Sequence, residues 1–113
     1  MEKRDEVQLQ LCKSLGNEYR ICWIDFEKVI YRDFGNGFNV EISGSHTSSV
    51  TKPVNIYLWH GAHQPSCFVV RTILKVPRDR IGTTVEELRQ YADSLLQQGH
   101  TRESLWKMVQ DRV

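Results

Sequence analysis

Hydrophobic and polar residues along the chain change their spacing once, near Gly82. Before this glycine, apolar residues alternate with polar ones, and residues 38–43 (FNVEIS) show the pattern most clearly, as a half-buried strand requires. Beyond it, apolar residues recur at the spacing of one helical face, at Val85, Leu88, Tyr91, Ala92, Leu95 and Leu96. The change predicts a small sheet followed by helices.

Five segments before Gly82 are rich in the β-branched and aromatic residues that strands favour: 19–24, 28–34, 38–43, 54–60 and 66–76. Gly35-Asn36-Gly37 joins two of them, and these residues accept the positive φ angles of a tight hairpin turn. A polar stretch over 44–53 predicts a loop, and 61–65 predicts a turn. Together they predict an antiparallel sheet of four or five strands over roughly residues 18–76.

The last predicted strand is apolar on both faces, which is typical of a strand that is central or covered by a helix. Alternation places its residues on two faces of the strand, with Phe68, Val70, Thr72 and Leu74 on one face and Val69, Arg71, Ile73 and Lys75 on the other. The same alternation and the helical spacing predict a buried core made of Ile21, Val40, Ile42, Ile56, Leu58, Phe68, Val70, Leu88, Leu95 and Leu105.

Helical spacing and capping residues predict helices at both ends of the chain. Thr83 and Thr84 each precede a glutamate by three positions, the pattern of a capping box, and predict a helix over roughly 84–98. Thr101 can cap a second helix over roughly 102–112. Residues 5–15 have the spacing of a short helix, with disorder of the first residues as the alternative. The chain is therefore predicted to be α+β, with the two C-terminal helices covering one face of the sheet.

Length and composition predict one soluble domain spanning residues 1–113. Of its 113 residues, 40% are hydrophobic and 26% charged, which is ordinary for a folded domain. The net charge of +1 provides no overall field to attract nucleic acid or an anionic membrane. Three widely spaced cysteines do not make a disulfide framework. A charged N-terminus and the lack of a long apolar run predict a cytoplasmic protein with no membrane partner.

One segment, HGAHQPSC over residues 60–67, contains the side-chain types that bind zinc. His60, His63 and Cys67 could supply three ligands, but a fourth is not evident, and the alternative is a hairpin turn followed by a buried cysteine. The same residues could form a thiol–imidazole catalytic pair. That pair needs an activated thiolate, whereas Cys67 enters the apolar strand that starts at Phe68. The sequence favours the purely structural turn.

A local basic run is formed by Arg71, Lys75, Arg78 and Arg80. Basic residues beside strand aromatics are typical of proteins that hold single-stranded nucleic acid by stacking and phosphate contacts. Asp79 interrupts the run, and no RNA-recognition aromatic motif is present. Nucleic-acid binding is therefore a weaker hypothesis than an ordinary solvated strand end.

Acidic residues accompany the predicted strands at Asp25, Glu27, Asp33 and Glu41. Paired carboxylates can transfer protons or hold a hard cation. Two of these four stand beside a basic residue in the sequence, which favours cross-strand ion pairs on a solvated sheet face.

Three tryptophans are the remaining candidates for contact with a partner. Trp23 lies in an apolar run and is predicted to be buried, whereas Trp59 and Trp106 are predicted to be partly exposed and to mark an interface. The sequence contains no assembled catalytic group and no cofactor-binding loop. It therefore favours a non-enzymatic protein that binds a macromolecule, either another protein or a second copy of itself, with zinc or thiol chemistry and single-stranded nucleic acid as alternatives.

Overall fold

The computed structural model describes residues 2–61 and 66–112. Helices and strands follow one another in the order α, five β, α, α, with a 3₁₀ turn at Arg78–Arg80 before the second α-helix. Their bounds are α1 Lys3–Leu15, β1 Arg20–Ile24, β2 Glu27–Asp33, β3 Phe38–Ser43, β4 Val54–His60, β5 Phe68–Val76, α2 Ile81–Gln97 and α3 Arg102–Gln110. The α+β class and the short N-terminal helix are confirmed.

The five strands form one antiparallel sheet in which spatial order equals chain order, β1-β2-β3-β4-β5. The hairpin predicted at Gly35-Asn36-Gly37 is confirmed: both glycines have positive φ, and the backbone N–H of Phe34 donates to the carbonyl of Phe38 at 3.0 Å. The Asn36 side chain also accepts from the Phe38 N–H at 3.1 Å. Turn chemistry and side-chain capping therefore fix the register of β2 against β3.

One hydrophobic core lies between the sheet and the helices. The strands contribute alternate residues to it, such as Ile30, Val40 and Leu58, and the helices contribute apolar stripes that include Leu88 and Leu105. Nine of the ten predicted core residues are buried, and the tenth, Ile21, is half-buried against the same cluster. Alternation alone identified this face because every second residue of a strand points to the same side.

The helices differ from prediction mainly where they begin. A 3₁₀ turn, in which the Arg80 N–H donates to the Pro77 carbonyl at 2.9 Å, continues directly into α2, so the chain is already helical at Thr83 and Thr84 and neither residue is the cap. The predicted Thr101 cap is confirmed: its hydroxyl accepts from the Ser104 N–H at 3.2 Å within a reciprocal capping box. No helix of the described residues is long and apolar enough to cross a membrane.

Strand β5 departs from simple alternation. Its pairing with β4 shifts register twice, once between Leu58 and Trp59 and once between Val54 and Ile56. Each shift inserts an extra residue, which changes the face that later side chains occupy. The two predicted faces are therefore wrong beyond Val70: Ile73 packs against the core while Leu74 is exposed.

Polar side chains fasten α1 to the sheet. Gln8 is fully buried, and its Nε2 donates to the Lys28 carbonyl at 2.8 Å and to the Ser45 hydroxyl at 3.0 Å. The Asp5 carboxylate lies 3.0 Å from Lys28 Nζ and 2.7 Å from His46 Nε2. These two bonds hold the pKa of Asp5 below its usual value.

Candidate binding site beneath the first hairpin

The hairpin formed by β1 and β2 carries two exposed aromatic side chains near its tip. Ile24 pairs with Glu27, so Asp25 and Phe26 alone form the turn, and both have positive φ (49° and 66°), as in a type I′ turn. Phe26 is fully exposed and Trp23 is 67% exposed. The prediction that Trp23 is buried is wrong, because β1 is an edge strand and Trp23 lies at its end, paired only with Lys28.

This hairpin crosses the sheet face that is turned away from the helices, which we call the open face. Pairing of β2 with β3 covers only Ile30–Asp33, so the tip extends beyond β3. Ile24 of β1 and Val69 of β5 line one cavity although their strands are at opposite edges of the sheet. Val29 belongs to the open face and is nevertheless completely buried. The sheet is therefore curled, with the hairpin tip above its concave side.

Two adjoining cavities lie beneath the tip, and together we call them the groove. The amide cavity, of about 280 Å³, is lined by Trp23, Ile24, Asp25, Tyr31, Asn39, Trp59, Gly61 and Cys67. The acidic cavity, of about 240 Å³, is lined by Ile24, Asp25, Glu27, Glu41, Ser43, Tyr57, Trp59 and Val69. Both share Trp59 and the hairpin tip, so one ligand can occupy both.

Glu41 is the central charged group of the acidic cavity. It is only 7% exposed, and its Oε1 accepts from the indole N–H of Trp59 at 3.1 Å. Burial raises the pKa of Glu41, and the nearby Glu27 and Asp25 raise it further, while the Trp59 bond acts in the opposite direction. Three carboxylates thus converge on one small space.

The prediction that these acidic residues form cross-strand ion pairs is wrong. Glu27 instead accepts from the Ser43 hydroxyl and the Gly44 N–H, both at 2.8 Å, and Asp33 accepts from the Gly35 N–H at 2.8 Å. Across residues 2–61 and 66–112, none of the four carboxylates lies in a salt bridge. Glu27, Asp33 and Glu41 are held by neutral hydrogen-bond donors instead.

The amide cavity contains a buried hydrogen-bond donor. Asn39 is 3% exposed, and its Nδ2 has no hydrogen-bond partner within the described part of the chain. Tyr31 lies beside it, with the Arg20 guanidinium 5.1 Å from its ring centre, and burial raises the pKa of its hydroxyl. Because a buried polar group without a partner costs free energy, Asn39 is a marker for a ligand that would satisfy it.

Of the zinc and thiol candidates that the structure describes, His60 ends β4 and Cys67 directly precedes β5. His60 packs between Phe38 and Phe68, with ring centres 4.9 and 5.6 Å away, and burial lowers its pKa. Cys67 lines the amide cavity, and His63 lies outside the described residues. No group of three potential metal ligands occurs among the residues described. The zinc and thiol activities stay predictions.

Trp59 and Trp106, the predicted contact residues, occupy different places. Trp59 is half-buried between the two cavities of the groove. Trp106 is 47% exposed and packs edge-on against Phe68, with ring centres 5.2 Å apart. It lines a third cavity of about 340 Å³ together with Arg102. The two tryptophans therefore do not form one surface.

The predicted basic run is divided among several structural roles. Arg71 lies 4.9 Å from the ring centre of Tyr91, and Arg78 donates to the Lys52 carbonyl at 2.8 Å. Lys75 is an exposed residue with positive φ at a register shift, and Arg80 is exposed at the start of α2. Binding of nucleic acid by these residues stays a prediction.

The chain matches no protein-family model, and no curated protein and no solved structure is similar to it. Sequence reasoning missed the groove because its residues come from all five strands. A usable sign was present at Asn39 and Glu41, two polar residues that alternate with the apolar residues of a central strand. Both are buried, which alternation between core and solvent does not predict.

Proposed function

We propose that this protein acts by binding another protein through the tip of the first hairpin, with Trp23 and Phe26 as the contact residues. The observation that carries the proposal is the position of Phe26. It is a bulky, fully exposed aromatic residue in a left-handed backbone conformation. Neither the exposure of the ring nor the left-handed backbone stabilises the isolated chain. Exposed aromatic residues do, however, frequently dominate the binding energy of protein interfaces.

Backbone strain strengthens this argument. A non-glycine residue in the left-handed region costs about 1–2 kcal/mol, and Asn or Gly would fill the same turn at lower cost. Strained conformations are concentrated at functional sites. A turn with phenylalanine at this position is therefore better suited to contact than to stability.

The two edges of the sheet differ in a way that supports the same surface. Strand β5 has two register shifts and exposed charges at Arg71 and Lys75, features that discourage pairing with a further strand. Strand β1, with the sequence RICWI, is regularly paired along its whole length and has a neighbour on one side only. An extended segment of a partner can add to β1 and reach the aromatic tip.

The test is affinity capture with the purified chain, followed by titration of the purified candidate partner. Phe26→Asn preserves the positive φ while removing the ring, and Leu74→Asn removes an exposed apolar side chain from β5 as the matched control. We expect Phe26→Asn to weaken the partner's affinity about tenfold or more and Leu74→Asn to leave it unchanged.

Equal affinity of both variants would contradict the proposal. Sedimentation velocity of the chain alone tests the other occupant. A concentration-dependent dimer that Phe26→Asn abolishes would assign the hairpin tip to self-association instead of a different protein.

A further inference from the structure

We propose that the groove beneath the hairpin receives a basic side chain, a guanidinium or ammonium group, from the bound protein segment. This inference rests on the proposed function and adds the chemistry of the partner. It assigns the cation to the acidic cavity, and it assigns the backbone carbonyl of the same partner residue to Asn39 in the amide cavity.

Uncompensated negative charge is the first argument. Asp25, Glu27 and Glu41 line the acidic cavity, and no ion pair with any of them exists within residues 2–61 and 66–112. Grouping carboxylates in a partly buried space is unfavourable unless a cation joins them. The acidic cavity is therefore incomplete in the isolated chain.

Among the described residues, the basic side chains of β1 and β2 form no ion pair with the three carboxylates. The Lys28 ammonium pairs with Asp5 of α1, and the Arg32 guanidinium lies 3.2 Å from Glu86 of α2. Arg20 lies over the ring of Tyr31, which lines the amide cavity, but in the described part of the chain it forms no ion pair with the three carboxylates. Because these groups already have partners, the cation that matches the acidic cavity is expected to come from outside the chain.

The aromatic walls favour an organic cation. Trp59 and Tyr57 line the acidic cavity together with the carboxylates. The faces of tryptophan and tyrosine rings attract guanidinium and ammonium groups, and the attraction is larger when water is excluded. The Trp59 indole is also held in place by its hydrogen bond to Glu41. A combination of aromatic rings and carboxylates is suited to the flat or tetrahedral head of a basic side chain.

Asn39 provides the second, independent observation. Its Nδ2 is buried without a partner in the described part of the chain, and Asn39 lines the adjoining cavity, so this group can donate to an acceptor on the same ligand. A peptide residue has this arrangement, with a carbonyl acceptor at one end and a charged group at the other. Asp25, the turn neighbour of the proposed contact residue Phe26, lines both cavities, so a segment that engages the tip can also fill the groove.

The test uses N-acetyl-L-argininamide, a single basic residue with blocked ends, titrated into the isotope-labelled full chain and followed by NMR. N-acetyl-L-glutaminamide is the neutral control probe. We expect saturable shifts of the Trp59 indole N–H and the Asn39 side-chain amide with the arginine probe only. Glu41→Gln should weaken its binding about tenfold, because the central charge is lost, whereas Glu87→Gln, which removes an exposed carboxylate of α2, should not.

Two further variants keep the experiment decisive. If Glu41→Gln does not fold, Asp25→Asn replaces it, since asparagine accepts the positive φ of this turn position, and we expect roughly two- to fivefold weaker binding. Asn39→Leu should weaken binding of the probe while all three carboxylates remain. Equal shifts with the neutral probe, or no saturable shift with the arginine probe, would overturn the inference.

Failure of this inference is distinguishable from failure of the proposed function. Phe26→Asn should leave binding of the small probe unchanged, because the ring is not part of either cavity lining. A partner protein that depends on Phe26 while the arginine probe does not bind would retain the function and reject the cation site. Probe binding without any Phe26-dependent partner would retain the cation site and reject the hairpin as a docking element.

Discussion

Phe26 combines a backbone conformation that disfavours large side chains with complete exposure of its ring. We expect Phe26→Asn to increase the free energy of unfolding by about 1 kcal/mol, because asparagine tolerates the left-handed region better than phenylalanine does. The measurement is chemical denaturation followed by circular dichroism.

Phe26→Ala is the matched control for this prediction. Alanine also removes the ring but keeps the backbone strain, since it has a Cβ atom and no local hydrogen-bonding side chain. Its stability should therefore stay close to that of the parent chain. If Phe26→Asn were less stable than Phe26→Ala, the turn would not be strained as described.

For single residues, the sequence predicts the local structure wherever the residue type strongly favours one backbone conformation or one role. The glycines at 35 and 37 and the cap at Thr101 were predictable because positive φ and helix capping each favour few residue types. Trp23 and Glu41 were not, since an aromatic residue is stable in a core or in an interface and a carboxylate is usually exposed. Their environments depend on the path of the chain far from them.

The helices provide a direct comparison of two threonines with similar sequence surroundings. Thr101 caps α3 and satisfies the Ser104 N–H, whereas Thr83 is exposed within α2. We expect Thr101→Ala to lower the free energy of unfolding by about 1 kcal/mol and Thr83→Ala to change it by less than about 0.5 kcal/mol. Chemical denaturation of both variants measures the difference, and equal losses would contradict the assigned start of α2.

Elements were easier to predict than their irregularities. The strands and the hairpin at Gly35-Asn36-Gly37 were predictable because their turn residues are visible in the sequence, whereas the order of the strands in the sheet was not. The register shifts in β5 were not foreseen, because an inserted residue such as Lys75 has no compositional mark and only its φ of 56° reveals it. The sequence also did not predict that the Gln8 side chain fastens α1 to the sheet, since a glutamine is usually exposed.

For the whole molecule, the pH dependence of stability contains contributions of opposite sign. Hydrogen bonds and ion pairs lower the pKa of Asp5 and Glu86, so both groups stabilise the folded chain above their unfolded pKa and lose this contribution on acidification. Burial raises the pKa of Glu41, which has the opposite effect. The folded chain then holds a proton longer than the unfolded chain, and stability falls as pH rises from about the ordinary value of 4.5 through the raised pKa.

Glu41→Gln isolates this contribution. We expect the difference in free energy of unfolding between the variant and the parent chain to be constant below the ordinary glutamate pKa and to shift in favour of the variant as pH increases. Denaturation at a series of pH values measures it. A difference that is flat across the whole range would show that the Glu41 carboxyl is not desolvated in solution.

The fold class was predictable from the whole sequence, and the groove was not. Strand and helix patterns record which face of each element meets the core, and this information is local. The groove depends on how far the sheet curls, which brings Ile24 of one edge strand near Val69 of the other. Curling is a property of all five strands together, so no single segment predicts it.

The unequal edges of the sheet also limit how copies of this molecule can assemble. Of the two edge strands in the described sheet, Arg20–Ile24 is regularly paired, whereas the opposite edge is irregular and charged. Two copies that paired through this strand would form an isologous, two-fold dimer, which uses the regular edge of both copies. A filament would need a second edge strand on every subunit that can pair with the next copy. The register shifts and exposed charges of β5 discourage such pairing.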